Sequence, residues 1–164
     1  YSIGHCLGNG ESGWNFREGV IIQGESMKRI LVLCTGNSCR SQMAEGWLKS
    51  FANDKAEVYS AGIETHGVNP KAIQFMKESG IDISKHTSNH INEYKQIDFD
   101  YIITVCDHAK ENCPYFPANA ERFHYNFSDP SKVKGSEEEI ANAFRATRDE
   151  IRDYSKKFIE ENIK

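Results

Sequence analysis

The chain has 164 residues, of which 20 are basic and 24 acidic, so that its net charge is −4 at pH 7. This length favours one domain with a real hydrophobic core. The lack of a basic field argues against nucleic acid as a partner. No apolar stretch approaches the roughly 20 residues that span a bilayer, so we expect no membrane partner either.

Residues 1–26 differ in composition from the rest of the chain. They hold six of the twelve glycines and lack the basic start and the apolar core of a secretory signal. We interpret residues 1–26 as a non-native or disordered leader and Met27 as the natural start of a domain covering residues 27–164. Five cysteines without a secretory signal favour catalytic, redox or metal-binding thiols in a reducing cytoplasm. We expect a cytoplasmic monomer.

The hydrophobic pattern predicts strands that alternate with helices. The predicted elements, in chain order, are a buried strand at 29–33, a helix at 41–52, a strand at 57–60, a helix at 70–79, strands at 100–105 and 122–127, and a long final helix. Ser136 and Glu139 resemble a capping box that opens this last helix. The alternation predicts an α/β fold, a four-stranded parallel sheet with helices on both faces.

Three predicted strands end next to residues that could carry chemistry. The first ends at Cys34, the third at Cys106, and the fourth leads into Asp129. In open α/β sheets, ligands bind beyond the carboxyl ends of the strands. If these strands are parallel, two cysteines and one carboxylate meet at the same edge.

A C-x5-R loop connects the first strand to the first helix. Such a loop can turn successive N–H groups toward an anion, while Gly36 and Asn37 tolerate the unusual backbone angles that this requires. The guanidinium of Arg40 can hold two oxygens of a tetrahedral oxyanion. The N–H groups and the following helix N-terminus are expected to lower the pKa of Cys34 and make it a nucleophilic thiolate. The predicted oxyanion-binding residues are Thr35, Gly36, Asn37, Ser38, Cys39 and Arg40.

Two other interpretations of the cysteines compete with a catalytic one. A structural zinc site is disfavoured, since the spacings C-x4-C (34 and 39) and C-x6-C (106 and 113) lack the tight C-x2-C pairs usual in such sites. We therefore expect no metal ligands. Alternatively, Cys106 and Cys113 are buried bystanders. Cys39 is interpreted as a small packing residue of the loop.

The segment from Cys34 to Trp47 reads Cys-Thr-Gly-Asn-Ser-Cys-Arg-Ser-Gln-Met-Ala-Glu-Gly-Trp. It resembles the low-molecular-weight protein tyrosine phosphatase superfamily and, within it, the thioredoxin-coupled arsenate reductases. The segments at 60–70 and 106–114 resemble the same branch. The resemblance extends from Met27 to the C-terminus and implies a low-molecular-weight tyrosine phosphatase-like fold.

The resemblance also implies roles for single residues. Cys34 would be the nucleophile, Arg40 the oxyanion clamp, Ser41 a hydrogen-bond donor to the Cys34 thiolate, and Asp129 the general acid. The chain departs from typical tyrosine phosphatases at Ser131, where a tyrosine is expected after the Asp-Pro pair. This departure disfavours phosphotyrosine as the substrate. The resemblance to the reductases implies arsenate, a phosphate-like oxyanion, instead.

In such a reductase Cys106 would attack Cys34 and release arsenite, and Cys113 would then attack Cys106 to form a disulfide for thioredoxin to reduce. No cofactor is expected in the chain. If residues 107–112 are helical, Cys106 and Cys113 lie about 10 Å apart along the axis. A disulfide needs Cα atoms within roughly 7 Å, so we predict a mobile segment that unwinds on oxidation.

Two other functions stay open at this point. One is a low-molecular-weight protein tyrosine phosphatase that uses Cys34, Arg40 and Asp129. The other is a non-enzymatic thiol sensor of arsenite or a soft metal. Electron supply by a glutathione system instead of thioredoxin also stays open.

Some further residues are interpreted as supporting or surface residues. Asn37 is expected to brace the loop, and Glu45 and Ser60 to order it from behind, with or without a monovalent cation. His66 and Asn69 are interpreted as surface loop residues, and no catalytic role is assigned to His86, His90, His108 and His124.

Overall fold

The computed structural model describes residues 27–111 and 120–164, together with the backbone of 14–17 and 20–23. Two short strands, β1 (Trp14–Arg17) and β2 (Val20–Gln23), pair antiparallel as a separate sheet. They lie within the segment interpreted above as a leader, and that interpretation stays a prediction. Cys113 lies outside the described residues.

From Lys28 onward, strands and helices alternate as the hydrophobic pattern predicts. The elements are β3 (Lys28–Cys34), α1 (Arg40–Ala52), β4 (Ala56–Gly62), α2 (Pro70–Glu78), β5 (Tyr101–Thr104), α3 (Asp107–Glu111), β6 (Glu121–His124) and α4 (Glu137–Asn162). Short 3-10 helices cover Ile91–Tyr94 and Pro130–Lys132. In the described part of the chain, four strands form a parallel sheet in the order β4-β3-β5-β6, which confirms the predicted fold class.

One face of the sheet packs against α4. Phe158 of α4 contacts Tyr101 of β5 and Phe123 of β6, with ring centroids 5.5 and 5.0 Å apart. On the opposite face, Tyr59 of β4 packs against Tyr94 of the 3-10 helix Ile91–Tyr94, with ring centroids 5.3 Å apart. The residues of β3 from Ile30 to Leu33 are fully buried between the two layers.

The helix ends follow the local sequence signals. The Asn69 side chain accepts a hydrogen bond from Lys71 N at the start of α2, where Pro70 is the first helical residue. Ser136 accepts from Glu139 N at the start of α4. The last strand is shorter than predicted: β6 ends at His124 and not at 127, because its partner β5 ends at Thr104 in the same register. Within the described ranges, none of the helices combines the length and the apolar character that a membrane crossing requires.

Candidate active site

The carboxyl ends of three parallel strands open onto one cavity of about 460 Å³. Cys34 is the last residue of β3, Cys106 follows β5, and Asp129 follows β6. All three line the cavity, together with Arg40 and Cys39. The structure therefore brings together at one edge the two cysteines and the carboxylate that the sequence places at strand ends.

The loop between β3 and α1 turns its carbonyl groups outward. The carbonyl oxygens of residues 35, 36, 37 and 38 accept hydrogen bonds, in that order, from Glu64 N, His66 N, Gln42 Nε2 and Asn69 N at 2.8–3.0 Å. In contrast, the backbone N–H groups from Gly36 to Arg40 donate to no group in the described part of the chain. Free N–H groups beside a helix N-terminus form a site for a tetrahedral anion.

Asn37 holds this loop from behind. Its φ of 47° lies in the left-handed region, which asparagine tolerates better than most residues. Its fully buried side chain donates from Nδ2 to Ser41 Oγ and Ser60 Oγ, both at 2.9 Å, and accepts from Asn89 N at 2.7 Å. These contacts match the bracing role predicted for Asn37.

The brace continues through Ser60 and Glu45, which the sequence analysis expected behind the loop, to His86 and Gln42, which it left without such a role. Ser60 Oγ donates to Glu45 Oε1 at 3.4 Å, and Glu45 Oε2 lies 2.6 Å from His86 Nδ1. Gln42 joins the network through its Oε1, 3.1 Å from His86 Nδ1. The contacts of His86 and Gln42 could not be predicted from the sequence, because the spacing of these residues matches no known motif.

Arg40 and Asp129 face each other across the mouth of the loop. Arg40 Nη1 donates to the Phe127 carbonyl at 2.8 Å, and Nη2 lies 3.5 Å from Asp129 Oδ2. The other carboxylate oxygen of Asp129 accepts from Ser131 N at 3.0 Å and from Ser131 Oγ at 2.6 Å. Ser131 thus holds the carboxylate in place, at the position where typical family phosphatases are expected to have a tyrosine.

The thiols of Cys34 and Cys106 line the same cavity and interact directly, and this interaction is the main influence on the pKa of each. Cys106 Sγ also lies 3.3 Å from Thr35 Oγ1 and accepts a hydrogen bond from Ala109 N at 3.4 Å. The interaction with Cys34, together with these contacts, lowers the pKa of Cys106 to about 5. The interaction with Cys106 and burial instead raise the pKa of Cys34, although Arg40 acts in the opposite direction.

The lowered pKa expected for Cys34 is therefore found on its partner. Because two adjacent sulfurs cannot easily both ionise, the pair holds one proton and one negative charge near neutral pH. Transfer of the proton from Cys34 to Cys106 would give the Cys34 thiolate without any change in total charge.

Other site residues predicted from the sequence have the following positions. Ser41 is fully buried and accepts from Asn37, so its own hydroxyl proton is available for Cys34; that bond stays a prediction. Burial, supported by Asp129, raises the pKa of Cys39 to about 12, consistent with a packing thiol. His66 lines the cavity, beyond the surface role given to it above. Among the described residues, no group of three or more His, Cys, Asp or Glu side chains is placed to hold a metal ion.

Comparison with known proteins agrees with this geometry. The chain is 53% identical over 133 residues to an arsenate reductase of Halalkalibacterium halodurans, and the aligned region covers 81% of this chain and 96% of the relative. It is 50% identical over 133 residues to an arsenate reductase of Bacillus subtilis, with the same coverage.

Solved structures show the same fold. An arsenate reductase in the phosphate-binding state superimposes with a TM-score of 0.72 at 33% identity, covering 82% of this chain and 98% of that one. A low-molecular-weight protein tyrosine phosphatase from T. tengcongensis gives a TM-score of 0.69 at 27% identity, covering 83% and 99%. The family model of low-molecular-weight phosphotyrosine protein phosphatases matches residues 29–164, and the chain belongs to this family.

Proposed function

We propose that the protein reduces arsenate to arsenite and that Cys34, Cys106 and Cys113 carry the electrons. The observation that supports this most is that Cys106 lines the same cavity as Cys34 and interacts with it directly, beside the anion-binding loop. A hydrolase of phosphate esters needs one thiol at this place. A second thiol next to the first supplies the further electrons that reduction requires. The relatives described above as arsenate reductases support the same reading.

In the first step, arsenate binds to the free N–H groups of the loop and to the Arg40 guanidinium. The Cys34 thiolate attacks arsenic, and a hydroxyl group leaves as water with a proton supplied by Asp129. The Arg40–Asp129 distance of 3.5 Å supports Asp129 as the acid, because the bound anion would lie beside Arg40. The product is a Cys34–arsenic(V) adduct.

In the second step, Cys106 attacks the Sγ atom of Cys34. A Cys34–Cys106 bond forms, and the sulfur–arsenic bond breaks with its electron pair left on arsenic, which becomes arsenic(III). The Cys106 proton passes to an oxygen of the departing arsenite. The two thiols line one cavity, and Cys106 Sγ lies 3.3 Å from the side chain of Thr35, the neighbour of Cys34 in the chain, which supports an attack that needs little movement.

Regeneration then passes through Cys113, which lies outside the described residues. Its thiolate attacks Cys106, the Cys34 thiolate leaves, and a Cys106–Cys113 disulfide remains for the dithiol of thioredoxin. The electrons thus leave the buried site by two successive thiol–disulfide exchanges. The protein would act as a monomer in the cytoplasm.

A second candidate is hydrolysis of phosphate esters by Cys34, Arg40 and Asp129, with water in the place of Cys106. The likeness to a tyrosine phosphatase structure and the shared anion loop favour it. Ser131 argues against a phosphotyrosine substrate, because its side chain binds Asp129 where an aromatic wall is expected. A non-enzymatic thiol sensor would have no use for the Arg40–Asp129 pair.

The test is arsenate-dependent NADPH oxidation in the presence of thioredoxin and thioredoxin reductase. We expect turnover by the wild type, a single cycle by Cys113→Ser, and no arsenite from Cys106→Ser. Cys39→Ser is the matched control, because it removes a thiol from the same cavity and should retain turnover. Hydrolysis of para-nitrophenyl phosphate without any arsenate turnover would instead support the phosphatase.

A further inference from the structure

We propose that Asp107 is a positioning residue, which holds Cys106 against Cys34 by fastening the start of α3 to β6. This inference rests on the proposed function and concerns the step in which Cys106 attacks the Cys34 adduct. We call the hydrogen-bonded group of Thr104, Asp107, His124 and Asn126 the Asp107 anchor.

Both carboxylate oxygens of Asp107 are used in the anchor. Oδ1 lies 2.8 Å from His124 Nε2, and Oδ2 accepts a hydrogen bond from Asn126 Nδ2 at 3.1 Å. The two partners are the last residue of β6 and a residue just beyond it. The first residue of α3 is therefore tied twice to the neighbouring strand of the sheet.

The ring of His124 is fixed at its second nitrogen as well. His124 Nδ1 lies 2.8 Å from Thr104 Oγ1, the last residue of β5. A carboxylate can only accept, so Nε2 carries a proton that it donates to Asp107. The Thr104 hydroxyl can accept from Nδ1 or donate to it, and its alternative acceptor is the Phe123 carbonyl at 3.3 Å. The anchor thus spans from one strand end to the next.

Asp107 directly follows Cys106 in the chain, so the anchor acts on the thiol through very few bonds. The Cys106 sulfur accepts from Ala109 N, two residues after Asp107, and lies within hydrogen-bond distance of Thr35 Oγ1. A rotation of this first turn would move both the backbone donor and the sulfur. A helix of five residues is not stable on its own, so its position depends on such tertiary contacts.

The negative charge of Asp107 gives a further reason for its hydrogen bonds to His124 and Asn126. A carboxylate close to an anion-binding loop disfavours the substrate unless a donor compensates it. Here an imidazole N–H and an amide N–H face the two oxygens. Asp107 lines the active-site cavity, but its described hydrogen bonds go to His124 and Asn126 and not to the substrate loop or the reacting sulfur atoms. Its proposed effect is therefore on the position of Cys106.

The experiment uses the full chain with Cys113→Ser, in which the relay stops at the Cys34–Cys106 disulfide. Reduced protein is mixed with arsenate, quenched after short times, and assayed by mass spectrometry for that disulfide. Asp107→Ala is compared with Asp107→Asn, which keeps an acceptor for His124 and lets the Asn126 amide turn to accept in exchange. Glu111→Ala is the matched control, an exposed acid at the other end of α3. Hydrolysis of para-nitrophenyl phosphate by the same proteins reports on Cys34, Arg40 and Asp129.

We expect Asp107→Ala to lower the ratio of disulfide formation to ester hydrolysis about tenfold, the size expected from losing a hydrogen bond to a charged group. Asp107→Asn and Glu111→Ala should stay within about twofold of the starting protein, below the effect of one such bond. An unchanged ratio for Asp107→Ala, or an equal loss in Asp107→Asn, would overturn the proposal.

A second readout does not depend on arsenate. Cys106 is only 4% exposed, so its alkylation by iodoacetamide should be slow while the anchor holds. Asp107→Ala should speed the labelling of Cys106 several-fold and Glu111→Ala should not. If the Cys113→Ser protein forms no disulfide with arsenate, the proposed function fails while this labelling result still decides the role of Asp107. Equal labelling rates in the two variants would contradict it.

Discussion

Replacement of Asn37 by alanine tests how the anion loop is held. The substitution removes three side-chain hydrogen bonds, to Ser41, Ser60 and Asn89. At about 1 kcal/mol of net stability each, their loss amounts to about 3 kcal/mol. Alanine also tolerates the φ of 47° less well than asparagine, which adds about 1 kcal/mol. We expect Asn37→Ala to lower the free energy of unfolding by about 4 kcal/mol, a large share of a typical total.

Asn53 provides the matched control. It has the other positive φ of a non-glycine residue in the described chain, 54°, and it is exposed. Asn53→Ala should therefore lose only the backbone contribution, about 1 kcal/mol. Urea denaturation followed by circular dichroism measures both variants against the wild type. A loss below about 1 kcal/mol for Asn37→Ala, or equal losses for the two variants, would refute the reasoning that the side-chain bonds hold the loop.

Three further predictions concern charge. The pKa of Cys106 is lowered to about 5, so its thiolate predominates above that pH and its rate of labelling by iodoacetamide should be half-maximal near pH 5. Thr35→Val should raise this midpoint, because it removes a hydrogen bond that lowers the pKa. A midpoint near 9, the ordinary value, would contradict this. Hydrogen bonds from two arginines of α4 lower the pKa of Glu78 from 4.5 to about 2, so its carboxylate stabilises the fold above pH 4.5 and loses this effect as the pH falls toward 2. Glu78→Gln should therefore flatten the dependence of unfolding free energy on pH in that window in urea titrations, and an unchanged slope would contradict it. Asp129→Asn should slow formation of the Cys34 adduct 10²- to 10⁴-fold in rapid-quench experiments, since it removes the proposed proton donor. A loss under about tenfold would exclude Asp129 as the acid.

Most of the fold could be predicted because its signals are local. The dense apolar run of β3, Pro70 at the start of α2 and Ser136 at the start of α4 each mark an element within a few residues. The C-x5-R loop is equally local, since Cys34 and Arg40 lie in one short segment.

The rest depends on contacts between distant parts of the chain. The hydrogen bond between Thr35 and Cys106 joins residues 71 positions apart, and the opposite pKa shifts of Cys34 and Cys106 follow from an interaction between residues that are almost equally far apart in the sequence. The loop alone predicts a lowered pKa for Cys34. With a second sulfur beside it, the negative charge of the pair lies on Cys106 instead. His86 was not recognised for the same reason, because its partner Glu45 is far away in the sequence.

We propose that Cys106, and not water, resolves the adduct on Cys34. A single cycle of the Cys113→Ser protein with arsenate, in the absence of any reductant, tests this directly. We expect one arsenite released per chain and a Cys34–Cys106 disulfide in equal amount, found by peptide mapping. Chains that stay fully reduced and release no arsenite, while they still hydrolyse phosphate esters, would contradict it.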